Sequence, residues 1–159
     1  MIKVFILLIC IFNVLACKPV EKKSLENRST YPFSCLSSQS DCFIDTELGQ
    51  YSVKFLGLEE QGKLKTELPF RIQVQFRPAD NSHQLRSIQS YLEGKTMFMG
   101  KVPVFFQQLP IKNKVQAETL LASCSEEVMT WRLRLTIAID AGEEIKQQEL
   151  FIDFDSKRL

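Results

Sequence analysis

The strongest constraint on this sequence is an alternation of apolar and polar residues with a period of two. Residues 68–76 carry leucine, phenylalanine, isoleucine and valine at the even positions, with arginine or glutamine between most of them. Residues 129–139 carry methionine, tryptophan, leucine and isoleucine at the odd positions. This period puts the apolar side chains on one face of a β-strand, whereas an amphipathic helix needs a period of 3.6. The chain is therefore predicted to form sheets that each bury one face.

The same alternation predicts seven strands along the chain. They are expected at about 50–55, 68–76, 85–92, 102–107, 115–122, 129–139 and 145–154. Residues 140–143 are predicted to form a turn, so the last two strands should form a hairpin. Seven short strands without an amphipathic helix predict an all-β fold, a seven-stranded antiparallel immunoglobulin-like sandwich. A small barrel is the alternative.

Length, charge and histidine content narrow the function. The chain has 159 residues, enough for one domain, and a net charge of +1, which does not favour non-specific binding to nucleic acid. Its only histidine is His83. No acidic residue can be assigned as the partner that would orient this histidine in a Ser-His-Asp triad. A metal site that needs two histidines from one chain is excluded. The sequence therefore favours a binding protein without catalytic activity.

The N-terminus has the layout of a secretory signal. A short basic start precedes an apolar run from Val4 to Ala16, which is too short to cross a bilayer as a helix. The run ends in Val14-Leu15-Ala16-Cys17, which resembles the lipobox of bacterial lipoproteins. An ordinary secretory peptide with an incidental cysteine is the alternative.

The lipoprotein resemblance implies a domain organisation and a location. Residues 1–16 would be the signal peptide, and Cys17 would receive a diacylglycerol on its thiol and an acyl chain such as palmitate on its amino group. The protein would then be anchored in the bacterial cell envelope facing the periplasm, and Lys18, where an aspartate would favour the inner membrane, favours the outer one. Residues 17–34 are predicted to be the lipidated N-terminus and a flexible tether, followed by the sandwich domain at 35–159.

Three cysteines remain once Cys10 and Cys17 are set aside. Cys35 and Cys42 enclose a short polar stretch, and an oxidising periplasm favours pairing, so we predict a disulfide between them. Cys124 would then be a free thiol, either buried or bound to a metal. The rival pairing joins Cys124 to one of the other two.

Four sulfur-containing residues form the one group that suggests chemistry. If successive strands alternate in direction, the loops at 93–101 and 123–128 share one end of the sandwich, and His83 lies at the other. Sulfur donors are soft ligands that select Cu(I). The candidate metal ligands are therefore Met97, Met99, Cys124 and Met129. In residue types and compartment this group resembles that of bacterial periplasmic copper-handling β-domains.

Two functions follow from these features. The first is a lipid-anchored periplasmic binding protein that holds or delivers Cu(I). The alternative is a structural or adaptor lipoprotein that binds another envelope protein through a sheet edge or an exposed face, with the sulfur residues as ordinary core packing. In both, the membrane is contacted through the lipid anchor and nucleic acid is not a partner.

Overall fold

The computed structural model describes residues 29–34, 41–57 and 64–159, and within these ranges the protein is all-β, without helices. Eleven strands follow one another along the described chain. They are β1 (Ser29–Ser34), β2 (Asp41–Thr46), β3 (Gly49–Leu56), β4 (Leu64–Lys65), β5 (Phe70–Pro78), β6 (His83–Gly94), β7 (Lys101–Val104), β8 (Gln107–Gln108), β9 (Lys114–Thr119), β10 (Val128–Ala141) and β11 (Glu144–Lys157).

The strands form two sheets. The six-stranded sheet, here sheet A, has the order β1-β11-β10-β6-β7, with β4 also paired to β11. The five-stranded sheet, sheet B, has the order β2-β3-β5-β9-β8. The longest pairing is the β10–β11 hairpin, in which Val128 lies opposite Lys157 and Ala141 opposite Glu144. The predicted turn thus falls at Gly142 and Glu143, and Gly142 adopts a φ of 73° that favours glycine.

The strand count of seven was wrong, because four further strands escape the pattern. β4 and β8 have two residues each, too few to show a period. In β2, Cys42 and Ile44 are buried but Phe43 between them is 59% exposed, so apolar residues on both faces hide the alternation. The arrangement is also not purely antiparallel, since β1 and β4 both run parallel to β11.

The core lies between the two sheets and is built from the alternating apolar residues. Tyr51 in sheet B and Trp131 in sheet A are fully buried, and both meet a polar group inside. The Tyr51 hydroxyl donates to Gln148 Oε1 across the core at 2.6 Å. The Trp131 indole Nε1 donates to Ser156 Oγ at 3.1 Å. The polar groups of these two buried side chains are thus paired inside the core.

Strand register fixes which loops share an end of the sandwich. β6 pairs with β10 so that Gly94 lies opposite Trp131 and His83 opposite Ala141. The loop that follows Gly94 and the segment that precedes Val128 therefore meet at one end, here called the Gly94 end. His83 lies at the other end, next to the β10–β11 turn. The prediction of shared ends is confirmed for these loops.

The N-terminal expectations fall mainly outside the described residues. Residues 1–28, including Cys17, and residues 35–40, including Cys35, belong to the part that is not described. Ser29–Ser34, assigned to the tether by composition, instead forms β1 beside β11, a partner that composition cannot reveal. Over the described residues, no helix has the length and apolar character to cross a membrane.

Candidate functional site

The loop between β6 and β7 carries two of the predicted sulfur ligands. Its first residue, Lys95, is held to β10 by a backbone hydrogen bond from its N–H to the carbonyl of Thr130, at 2.9 Å. Gly94 allows the loop to fold back closely. A Cβ at Gly94 would collide with the Met97 carbonyl oxygen and the Met129 Cε, and would lie 3.2 Å from the Met99 Cγ. The missing side chain thus makes room for Met99 and Met129 at the Gly94 end.

Three of the four predicted sulfur residues come together here. The Cys124 thiol donates to the Met129 thioether, with Sγ and Sδ 3.5 Å apart. Met129 is 2% exposed, whereas Met99 and Cys124 are half-buried against the core. We call Met99, Cys124 and Met129 the sulfur cluster. It lies at the boundary between core and solvent, with Cys124 and Met99 on its accessible side.

Met97 occupies a different position from the other three. Its side chain is 38% exposed, and the neighbouring Phe98 is 93% exposed. Contact with Gly94 is made by the Met97 backbone carbonyl. The structure therefore gathers Met99, Cys124 and Met129 and leaves Met97 on the rim.

The chemistry available to the cluster is that of soft donors. One thiol and two thioethers offer sulfur ligands, which suit Cu(I). Within the described ranges no three His, Cys, Asp or Glu residues are grouped as metal ligands. His83, at the far end, lies 3.3 Å through its Nδ1 from the Leu48 carbonyl oxygen.

The cysteines differ in state. Cys124 carries a free thiol. The alternative pairing of Cys124 with Cys35 or Cys42 is therefore wrong. Cys42 is buried and disulfide-bonded, and its partner lies outside the described residues. The Cys35–Cys42 disulfide stays a prediction, since Cys35 is not described.

An ion-pair cluster on the outer face of sheet A was not predicted from the sequence. Asp153, 6% exposed, accepts two hydrogen bonds from Arg132, at 2.7 and 2.9 Å, and one from Lys95 Nζ at 2.6 Å. The bonds from Arg132 hold the pKa of the Asp153 carboxyl below its ordinary value, against the effect of burial, and Lys95 acts in the same direction. Register alone brings these residues together, and that is why alternation could not reveal them. Because Lys95 begins the β6–β7 loop, the cluster also ties that loop to the sheet.

Comparisons by sequence give no relative. No protein-family model matches the chain, and no curated protein matches it significantly.

Comparisons by structure bear on the fold alone, and only the first of the three similarities that follow supports it. A DUF4785 family protein from Legionella pneumophila is similar with a TM-score of 0.56 and 13% identity, over 71% of this chain and 29% of that chain. This chain thus spans less than a third of that protein's length. A DUF4426 family protein from Pseudomonas aeruginosa PAO1 gives 0.49 at 10% identity, over 72% and 94% of the two chains. Superoxide reductase (neelaredoxin) from Ignicoccus hospitalis gives 0.41 at 14% identity, over 69% and 80%.

Proposed function

We propose that this protein is a lipid-anchored β-sandwich of the bacterial envelope that binds Cu(I), without catalytic activity, through its sulfur cluster. The observation that carries the proposal is the 3.5 Å distance between Cys124 Sγ and Met129 Sδ. Two sulfurs bound to one ion at about 2.3 Å each would subtend about 100° at that separation. The pair is thus already spaced for one small soft ion.

Two further features support a site that can exchange its ion. Met99 packs over Gly94 beside Met129 and can supply a third sulfur. Cys124 and Met99 are half-buried, so an ion can reach them from solvent, while buried Met129 forms the inner wall. Met97, exposed on the rim, is a candidate fourth ligand that delivers the ion inward.

The test is an anaerobic Cu(I) titration, against a Cu(I) chelator, of the chain that begins at Lys18. We expect one tight equivalent, weakened at least about tenfold in Cys124→Ser and in Met129→Leu. Met129→Leu nearly conserves volume, so its thermal unfolding should stay close to that of the unchanged chain. Val128→Ala, beside Met129 but 49% exposed, is the matched control and should leave the titration unchanged. Absence of a tight equivalent, or equal affinity in Cys124→Ser, would reject the copper proposal.

We further propose the lipid anchor at Cys17 and the periplasmic location, outer membrane before inner, on the lipobox resemblance. Cys17→Ser should release the protein from the membrane fraction or leave its signal uncleaved, measured by fractionation and by the mass of the chain. Unchanged fractionation and processing would refute the anchor.

We propose that the sandwich is immunoglobulin-like on its strand order. The strand order in sheet B contains β3-β5-β9-β8, which corresponds to the order A-B-E-D of one immunoglobulin sheet. The strand order in sheet A contains β11-β10-β6, which corresponds to the order G-F-C of the other immunoglobulin sheet.

The second candidate function is an adaptor that binds another envelope protein. Phe98 is 93% exposed and Phe105 is 79% exposed, and they flank β7, one of the edge strands in the described part of sheet A. Exposed aromatic residues beside a strand edge favour addition of a partner strand. A crosslinking experiment in cells should then capture a partner that is lost in Phe98→Ser with the Cu(I) titration unchanged.

A further inference from the structure

We propose that a cleft on the outer face of sheet A binds the carboxylate group of a small ligand through Arg134. The cleft has a volume of about 90 Å³ and is lined by Tyr91, Arg134, Thr136, Glu149 and Phe151, with the backbone of β10 and β11 as its floor. It lies apart from the sulfur cluster and does not depend on copper binding.

Strand register builds the cleft around Arg134. Its neighbour on β6 is Tyr91 and its neighbour on β11 is Phe151, so an aromatic ring stands on each side of the guanidinium's strand. Two residues further along β10, and on the same face, Thr136 lies opposite Glu149. The cleft therefore combines two aromatic walls with a hydroxyl, a carboxylate and a cation.

Arg134 has N–H groups from which no described residue accepts a hydrogen bond. Its Nε donates to Glu93 Oε1 at 2.5 Å, its side chain is 41% exposed, and it makes no other hydrogen bond to the described part of the chain. Arg132, by contrast, commits both Nε and Nη2 to Asp153. The terminal amino groups of Arg134 are thus available for a two-point contact with a planar carboxylate.

The walls are held in place before any ligand arrives. The Arg132 guanidinium lies over the Phe151 ring at 4.1 Å, and Lys101 Nζ lies over the Tyr91 ring at 4.4 Å. Each of these contacts orients a ring from a neighbouring position, and Lys101 also places a positive charge near the cleft, whereas the charge of Arg132 is paired with Asp153. A site that is ordered in advance loses less entropy on binding.

Charge and the geometry of the guanidinium favour a carboxylate over a phosphate. Glu93 bonds Arg134 at the cleft, so a doubly charged anion would be repelled by a carboxylate of its own sign. A singly charged carboxylate adds less repulsion and matches the fork of the guanidinium. A free small acid and a peptide C-terminus share this chemistry.

The test uses the full chain in maltoside micelles, followed by amide NMR at constant ionic strength. Acetate, N-acetylalanine, its amide N-acetylalaninamide, and phosphate are titrated separately. We expect saturable shifts at the amides of Tyr91, Arg134 and Phe151 with the two carboxylates only. Equal affinity for both carboxylates would identify a free small acid as ligand, and tighter binding of N-acetylalanine would identify a peptide C-terminus.

Variants decide whether Arg134 is the binding group. Arg134→Gln should weaken carboxylate binding about tenfold or more, and Arg134→Lys, which keeps the charge but loses the fork, should weaken it severalfold. Arg71→Gln, an exposed arginine on sheet B, is the matched control and should change nothing. Absence of saturable shifts up to about 50 mM, equal binding of phosphate or of the amide, or unchanged binding in both Arg134 variants would overturn the proposal.

Discussion

Replacing Asp153 by asparagine removes the negative charge at the centre of the ion-pair cluster on sheet A while keeping the shape of the side chain. The side chain of Asp153 is 8% exposed, that of Arg132 21% and that of Lys95 48%. Loss of one partner from a fully buried pair costs about 3–5 kcal/mol, and from an exposed pair about 1 kcal/mol or less. Because burial here lies between the two, we expect Asp153→Asn to lower the free energy of unfolding by about 2–3 kcal/mol at pH 7.

The pH dependence of this loss follows from the pKa of Asp153. Its pKa in the folded protein is lowered from the ordinary 3.8. The stabilisation is therefore fully present above the unfolded value and disappears as the pH falls through the lower folded value. The difference between the two proteins should be constant from about pH 5 to 8 and should shrink below about pH 4.

The measurement is urea unfolding of the chain that begins at Lys18, followed by the fluorescence of Trp131, its only tryptophan and fully buried. The slope of the free energy against urea should not change. Asp140→Asn is the matched control, since the Asp140–Arg86 pair is 44% and 54% exposed, and it should cost about 0.5 kcal/mol or less. The reasoning would be refuted if Asp153→Asn lowered the free energy of unfolding by only about 0.5 kcal/mol or less. It would also be refuted if Asp153→Asn and Asp140→Asn lowered it equally.

Two further substitutions test the Gly94 end and the core. Gly94→Ala should lower the free energy of unfolding by about 2 kcal/mol or more, because the new Cβ meets the Met97 carbonyl and Met129, and proteolysis within the β6–β7 loop should become faster. Unchanged stability and cleavage would mean that the loop yields freely. Tyr51→Phe should cost about 1–3 kcal/mol in urea unfolding by leaving Gln148 without its donor across the core, whereas a neutral result would mean that water or another group replaces the hydroxyl.

Most of the sheet framework could be predicted from alternation. The predicted strands at 129–139 and 145–154 correspond to β10 and β11, and their turn falls where polar residues and Gly142 interrupt the pattern. β10 keeps its odd-numbered residues inside from Met129 to Ile139, so the alternation correctly predicts which face of this strand is buried.

Side-chain neighbours across strands were harder to predict. Asp153 and Arg132 are 21 residues apart and meet because the hairpin register sets them opposite each other. Alternation predicts that both lie on β-strands, but it does not predict which polar residues pair, since charge and hydrogen bonding act only once the strands are aligned. The sulfur cluster could be predicted in part, because Met99, Cys124 and Met129 fall beside strand ends that share one end of the sandwich.

The parallel contact between β1 and β11 has a mechanical consequence. β1 is the first described strand, and it runs alongside β11 over six residue pairs, from Ser29 opposite Gln148 to Ser34 opposite Asp153. A pull between the chain before Ser29 and the C-terminal end of β11 acts along both strands, so it loads all the rungs of this ladder together in shear. Separation of the two strands then requires all of these backbone hydrogen bonds to break together, so β1 resists tension applied along the chain.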